Sequence, residues 1–248
     1  MNDLPDGARQ ALDRARASRG NYAVRVLRAT DGRLVAVLGE MHLKLAKAAQ
    51  VGKDVVGNFE LRGVVTFQRE QVAGGLALGL VIQAPRTLLR IASLGAIKGS
   101  TITDAKQLPF GHTVEIERAQ RVPLGLHVAS LYMTAFFIVS FLAPLEPRLV
   151  AIAPFIAGQI GQLAALFRLH LIVALPPAIA LRRYSWSWLV HPFLGILTLR
   201  DELMAAGTVQ MLADHPGAGA AVIVLGRAHV QGISRLLVER YGFTVEAP

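Results

Sequence analysis

This sequence predicts an α/β fold, with a mostly parallel sheet flanked by helices and an apolar helical hairpin inserted into it. Three observations carry that expectation. Short apolar segments alternate with helical ones towards both ends of the chain. Two of them, Leu34–Leu38 and Ala220–Leu225, run straight into the same four-residue pattern, Gly39-Glu40-Met41-His42 and Gly226-Arg227-Ala228-His229. Between these patterns lies a long apolar block that starts at Leu124. Strand, turn and helix in succession is how βαβ units and parallel sheets are built.

The elements follow in order. Residues 3–19 predict a helix, with Leu4, Ala8, Ala11, Leu12 and Ala15 on one side. Tyr22–Leu27 and Leu34–Leu38 predict strands, joined through a hairpin signal at Thr30-Asp31-Gly32. A helix follows the first G-x-x-H segment to about Val51, where Gly52 is expected to end it. Val55–Leu61 reads as a buried third strand with Glu60 near its carboxyl end. Residues 66–98 are helical in character, but Gly74, Gly75, Gly79 and Pro85 interrupt them. With Arg86 and Arg90 inside, an amphipathic or core helix pair is preferred to a membrane span. Residues 99–123 are a polar connector, with a short strand around Val114–Ile116.

Leu124–Leu145 and Leu149–Phe167 are then free of formal charge and separated by Glu146-Pro147-Arg148. Each is about long enough to span a bilayer, for which about 20 apolar residues are needed. Leu171–Leu181 is shorter and holds Pro176-Pro177. The chain resumes globular character with a helix from Asp201 to about Ala213, the strand Ala220–Leu225, a helix from about Val230 to Tyr241 and a short strand at 243–246. The expected organisation is therefore 1–123 as the first part of the α/β domain, 124–183 as the apolar insertion and 184–248 as its completing part.

Composition agrees. Hydrophobic residues make up 53% of the 248 and charged residues only 17%, against about a quarter in an average soluble domain. The mean hydropathy is +0.44. Too few polar residues remain to coat a soluble globule of this length, so membrane lipid is the first partner expected. A net charge of +9 and a pI near 10.6 suit nucleic acid, anionic lipid or the cytoplasmic flanks of membrane helices. The basic residues are scattered or flank apolar runs, with no aromatic-interleaved patch, so no nucleic acid is expected. The absence of cysteine excludes disulfides, thiolate ligands and thiol nucleophiles. Met1–Arg19 is polar without an apolar core, so a secretory signal peptide is not expected.

In an open α/β sheet, ligands collect outside the carboxyl ends of the strands. His42 and His229 both fall just past such an end, and Glu60 is expected near the end of the next strand. A glycine before each turn, Gly39 and Gly226, would let the backbone bend and approach a ligand closely. Two imidazoles and a carboxylate form a divalent-metal set with positions left for water. Each residue also has a plainer reading. A histidine near a strand end is often only hydrogen-bonded, Glu60 could cap a turn or bind Arg62, and Glu40 could be a solvated loop residue rather than a general base. Arg200-Asp201 could simply start a helix. Functionally, Arg200 would hold an anionic group and Asp201 would supply a hydrogen bond to a ligand. His127 and His170, in apolar runs, are expected to be buried and satisfied. His112, His191 and His215 fall in loop-like stretches.

The runs Val37-Leu-Gly-Glu-Met-His42, Asp54-Val-Val-Gly-Asn-Phe-Glu-Leu-Arg62, Leu199-Arg-Asp-Glu-Leu-Met-Ala205 and Ala221-Val-Ile-Val-Leu-Gly-Arg-Ala-His-Val-Gln-Gly-Ile233 resemble the TraB family. That family includes the pheromone-shutdown proteins of enterococci and is related to the Tiki proteases. More remotely it resembles the erythromycin esterase and haem-binding ChaN group. The resemblance implies an α/β fold and a metal-dependent hydrolase, with a divalent ion such as Mn, Co or Zn and a peptide or small-molecule substrate. It places His42, Glu60 and His229 in the site and Glu40, Arg62, Arg200 and Asp201 near it. A non-enzymatic protein that sequesters a peptide signal or a haem-like ligand is the alternative. The chain departs from the family's usual layout, in which the membrane helices follow the motifs.

If the two G-x-x-H segments share one site, an even number of membrane crossings must separate them. Spans at about 125–145 and 149–167, turning at Glu146-Pro147-Arg148, meet that condition. Arg118, Arg121, Arg168, Arg182 and Arg183 flank them on the side of the motifs, which predicts a cytoplasmic α/β domain. The competing reading packs the block as a buried layer or as the interface of a homo-oligomer.

Overall fold

A computed structural model describes residues 4, 6–18, 20–41, 44–65, 70–94, 96–98, 101–118 and 120–246. The elements are α1 (Asp6–Ala17), β1 (Tyr22–Arg28), β2 (Leu34–Glu40), β3 (Lys44–Leu45), α2 (Ala46–Gly57), β4 (Leu61–Val64), α3 (Gly75–Ala92), β5 (Ile97–Lys98), α4 (Thr101–Lys106) and β6 (His112–Glu115). Then come α5 (Leu124–Leu142), α6 (Glu146–Leu149), α7 (Pro154–Ala180), α8 (Phe193–Asp214), β7 (Ala220–Gly226), α9 (Val230–Tyr241) and β8 (Thr244–Val245). The chain divides into two compact units. One holds Met1–Phe67, Arg86–Gln120 and Asp201–Pro248; the other holds Gln68–Pro85 and Arg121–Arg200.

The first unit is α/β. Six of its eight described strands form a mixed sheet in the order β6-β4-β7-β2-β1-β8, and β3 pairs with β5 apart from it. The pairs β2–β7, β4–β7 and β4–β6 are parallel, while β1 pairs antiparallel with both β2 and β8. Alternation along β2 sorts the core. Leu34, Ala36 and Leu38 join a cluster with Ala8, Leu12, Val55 and Val56 of α1 and α2. Val35 and Val37 join Met204, Met211, Ile233 and Leu237 of α8 and α9 on the other face.

Three expectations are corrected here. The helix expected to end at Gly52 continues to Gly57, and the apolar run from Val55 is its buried face rather than a strand. Gly52 sits within α2 for space: a Cβ there would lie 2.3 Å from the Thr101 hydroxyl and 2.5 Å from the Tyr22 phenol. A short apolar run fits a buried helix as well as a strand, and periodicity alone does not separate them. The following strand is therefore β4, starting at Leu61, with Glu60 before it. Third, Asp201 does not start a helix, because α8 begins at Phe193. Gln68–Pro85 and the stretch up to Arg200 group with the apolar helices.

Arg62 is fully buried in β4. It donates to the carbonyls of Val56 and Phe110 and lies 5.2 Å from the centre of the Phe110 ring. Burial lowers its pKa from the ordinary guanidinium value. Its work is to tie the last turn of α2 to the loop before β6.

The second unit is helical. Residues 124–149 and 154–180 form two stretches long and apolar enough to cross a membrane, as does α3. The longer of the first two inverts the usual burial pattern. Helix α7 buries Ala157, Ala164 and Ala178 and exposes Phe155, Leu166, Leu169, Ile172 and Val173. It also runs on through Arg168 to Ala180, past the expected end at Phe167. Tyr132 and Phe136 of α5 pack edge-on against Phe167 of α7. The Tyr132 hydroxyl lies 2.6 Å from His170 Nδ1, and the His170 ring stacks on His191 at 4.6 Å.

His191 is fully buried. Its Nδ1 accepts the Phe193 N–H at 3.3 Å, so a neutral ring carries its proton on Nε2, which has no partner among the described residues. Desolvation and the neighbouring His170 lower its pKa below 6.5.

Two outcomes are expected. Arg62→Ala leaves two buried carbonyls without a charged donor and should lower unfolding stability by about 2–4 kcal/mol in a denaturant titration. The unfolded chain binds the His191 proton more readily than the folded one, so the stabilisation present above the ordinary histidine pKa is lost as pH falls through it. The melting temperature should therefore drop between about pH 7 and pH 5, and His191→Gln should flatten that drop. An unchanged profile in the variant would remove His191 from the account.

Candidate functional site

The strands that lead into the two G-x-x-H segments are neighbours in the sheet. The register of β2 on β7 sets Gly39 opposite Leu225 and Glu40 opposite Gly226, so both strands end at the same edge. A Cβ on Gly39 would lie 2.1 Å from Val230 Cγ2 and 3.0 Å from the Arg227 backbone. Glycine at 39 thus lets the turn after β7 settle on the turn after β2. That is close approach, not a bend. Gly226, at φ −68° and ψ 139°, has an extended backbone open to any residue, which corrects the expectation that both glycines are needed for sharp turns.

His229 closes a 3-10 turn that leads into α9. It is 6% exposed, and its Nδ1 lies 2.6 Å from Oδ1 of Asp201, itself 7% exposed. The carboxylate accepts the Nδ1–H, which fixes the ring and leaves Nε2 without a hydrogen bond among the described residues. Gly232, one turn on, makes the pairing feasible, because a Cβ there would lie 1.7 Å from Asp201 Oδ2. Asp201 comes from the middle of α8, so packing of α8 beside α9, not a helix terminus, positions it. Arg200, its neighbour on α8, points about 100° away around the helix.

Glu40 ends β2 and is 1% exposed. Two residues beyond Leu38, it faces the α1–α2 side of the sheet. Its Oε2 accepts the Thr101 N–H at 2.8 Å. Tyr22 is its direct cross-strand neighbour. The phenol donates to the Ala48 carbonyl at 2.8 Å. Burial pushes its pKa up to about 12, and the charge of Glu40 adds to the rise. Tyr22 is thus a neutral donor beside a buried carboxylate.

His42 lies outside the described residues. Glu60 and Arg62 are not brought to this edge. Leu61 pairs with Ala221, so Glu60 is level with the start of β7 while His229 follows its end. Six residues at about 3.3 Å each put them about 20 Å apart. Glu60 is exposed, and its carbonyl accepts the His112 N–H. Once residues 55–57 are helical, β4 starts where its predecessor was expected to end, and Glu60 changes ends of the sheet. Among the described residues, no three His, Asp or Glu side chains form a metal-binding group.

One acidic residue at this edge escaped the motif reading. Glu117 follows β6, which is parallel to β4, and is 2% exposed. The short strand expected at Val114–Ile116 already put it just past a strand end, but no repeated pattern marked it.

No protein-family model, characterised protein or solved structure matches the chain.

The close fit of Gly232 is testable. Gly232→Ala should cost about 1–3 kcal/mol by forcing Asp201 away from His229. Gly217→Ala, where a Cβ would meet nothing within 4 Å, should stay within about 0.5 kcal/mol of wild type in the same urea titration. Equal stabilities would refute the fit.

Proposed function

We propose that this protein is a TraB-like, membrane-associated metal-dependent hydrolase of a peptide or ester, with its site at the carboxyl edge of the sheet. The observation that carries this reading is the buried Asp201–His229 pair beside the first G-x-x-H segment. A carboxylate that holds one imidazole nitrogen and leaves the other free is how proteins orient a histidine ligand. His229 and His42 would hold a divalent ion such as Mn, Co or Zn, and Glu60 is no longer part of the set. When bound, such an ion supplies a nucleophile by lowering the pKa of a water. Glu40, whose Oε2 accepts the Thr101 N–H on the α1–α2 side of the sheet, would take up the proton, a role that rests on its place in the motif. Arg200 holds an anionic substrate group, a role that rests on its place in the sequence alone.

The apolar helices are proposed as a membrane hairpin. Residues 124–149 and 154–180 both lie between β6 and β7, strands of one sheet. The two stretches therefore cross together or not at all. Large apolar residues outside and small ones inside suit lipid on one side and a helix on the other. Arg118, Arg121, Arg182 and Arg183 flank the hairpin on the sheet's side, which makes that side cytoplasmic.

Elemental analysis of the full-length protein in detergent tests the site. Wild type and Glu60→Gln should carry about one divalent ion per chain, and His229→Ala should carry at least 10-fold less. Unchanged metal in both His42→Ala and His229→Ala would defeat the shared site. A metal-free wild type with a haem absorbance band would favour sequestration.

A further inference from the structure

Helix α3 matches the length and apolarity of a membrane span, with a mean hydropathy of 1.2 over 18 residues. The sheet forbids it to be one. Strand β4 precedes α3, β6 follows it, and the two are paired in parallel from Leu61–His112 to Val64–Glu115. Among the described residues, α3 is the one candidate span between them. A single crossing there would leave paired strands on opposite sides of a bilayer.

Yet one face of α3 is not covered by protein. Leu78 and Gly79 are buried, while Leu76, Leu80, Leu88 and Ile91 are 64%, 73%, 67% and 67% exposed. With Ala84, these form one row at spacings of four, four, four and three, a continuous stripe along a helix. Gln83, Thr87 and Arg90 lie along one flank of that stripe. From Gln71 to Thr103 the chain carries Arg86, Arg90 and Lys98 and no carboxylate. An exposed apolar stripe on a cationic segment complements an anionic lipid surface. It repels a second copy of itself, which would bring the same cations.

We propose that α3 lies in the plane of the bilayer interface as a second membrane contact, with the Leu76–Leu80–Ala84–Leu88–Ile91 row against acyl chains and Arg90 beside anionic headgroups. This rests on the membrane hairpin proposed above.

The cysteine-free chain permits single-site labelling. Leu76→Cys, Leu80→Cys, Leu88→Cys and Ile91→Cys each carry a fluorophore in the full-length protein, reconstituted in phosphatidylcholine vesicles with and without phosphatidylglycerol. Ile138→Cys in α5 reports on the hairpin. Lipids spin-labelled near the headgroup or near the chain end act as quenchers. The expected result is stronger quenching by the shallow label at all four α3 sites, with similar depth ratios that strengthen with phosphatidylglycerol, and deep quenching at position 138. A depth that sweeps through the bilayer centre from 76 to 91 overturns the proposal. So does unquenched α3 with position 138 deep, which leaves the hairpin standing. Disulfide-linked dimers of Leu80→Cys formed in detergent also overturn it, in favour of a second copy. No quenching at any site, 138 included, defeats the hairpin itself.

Discussion

The parallel pairing of β2 with β7 is the contact on which the rest depends. It joins residues 34–40 to residues 220–226, strands near opposite ends of the sequence. Closing so long a loop is entropically unfavourable and needs a strong local gain. The gain is visible. Every residue of β2 is buried, and Val222 to Leu225 in β7 are fully buried. Neither strand offers an amphipathic face that could settle elsewhere, so each must lie inside a sheet covered on both sides. The same pairing brings the two strand ends level and thereby sets the site.

Glycines then decide how closely the covering elements approach. Gly39 admits Val230 and the Arg227 backbone, Gly232 admits the Asp201 carboxylate, and Gly207 of α8 admits the Ile116 carbonyl, to which a Cβ would lie 1.6 Å. These contacts share one side of the sheet and one edge. They bring α8 and α9 in until a carboxylate from the middle of one helix can hold the histidine that precedes the other. The site is thus a product of helix packing. That explains why Asp201, far from any helix end, can reach His229.

The sequence was legible where a pattern had one structural solution. The apolar strands β2 and β7, the hairpin at Gly32, α1 with Ala8, Ala11, Leu12 and Ala15 inward, and the strand-to-helix setting of the second G-x-x-H segment all stand as expected. It misled where a pattern had two. Val55-Val56 fits a strand or the inner face of a helix, and Gly52 looked like a helix end until its crowding against Thr101 and Tyr22 gave it another purpose. That error of a few residues carried Glu60 from one end of the sheet to the other. Arg62 was drawn with it. Its neighbours, the Val56 and Phe110 carbonyls, are backbone groups that no side-chain pattern announces. Asp201 was picked out for a hydrogen bond to a ligand, and its partner could not be named without the packing of α8 on α9.

The apolar excess of the composition has a specific destination. An enlarged core would absorb it by burying large side chains, as the sheet does with Leu38, Ile223 and Leu225. Helix α7 does the reverse, with alanines inward and Phe155, Leu166 and Ile172 outward. In water that arrangement exposes a contiguous apolar surface at a free-energy cost of about 25 cal/mol for each Å². In lipid the cost vanishes, and small residues at the helix contact become the favourable choice. The sheet adds the constraint that hydropathy lacks. Three helices qualify by length and apolarity, but strand pairing sorts them by parity: residues 124–149 and 154–180 as a pair, α3 alone and therefore unable to cross. That parity is the ground on which α3 was proposed to lie at the bilayer interface rather than across it.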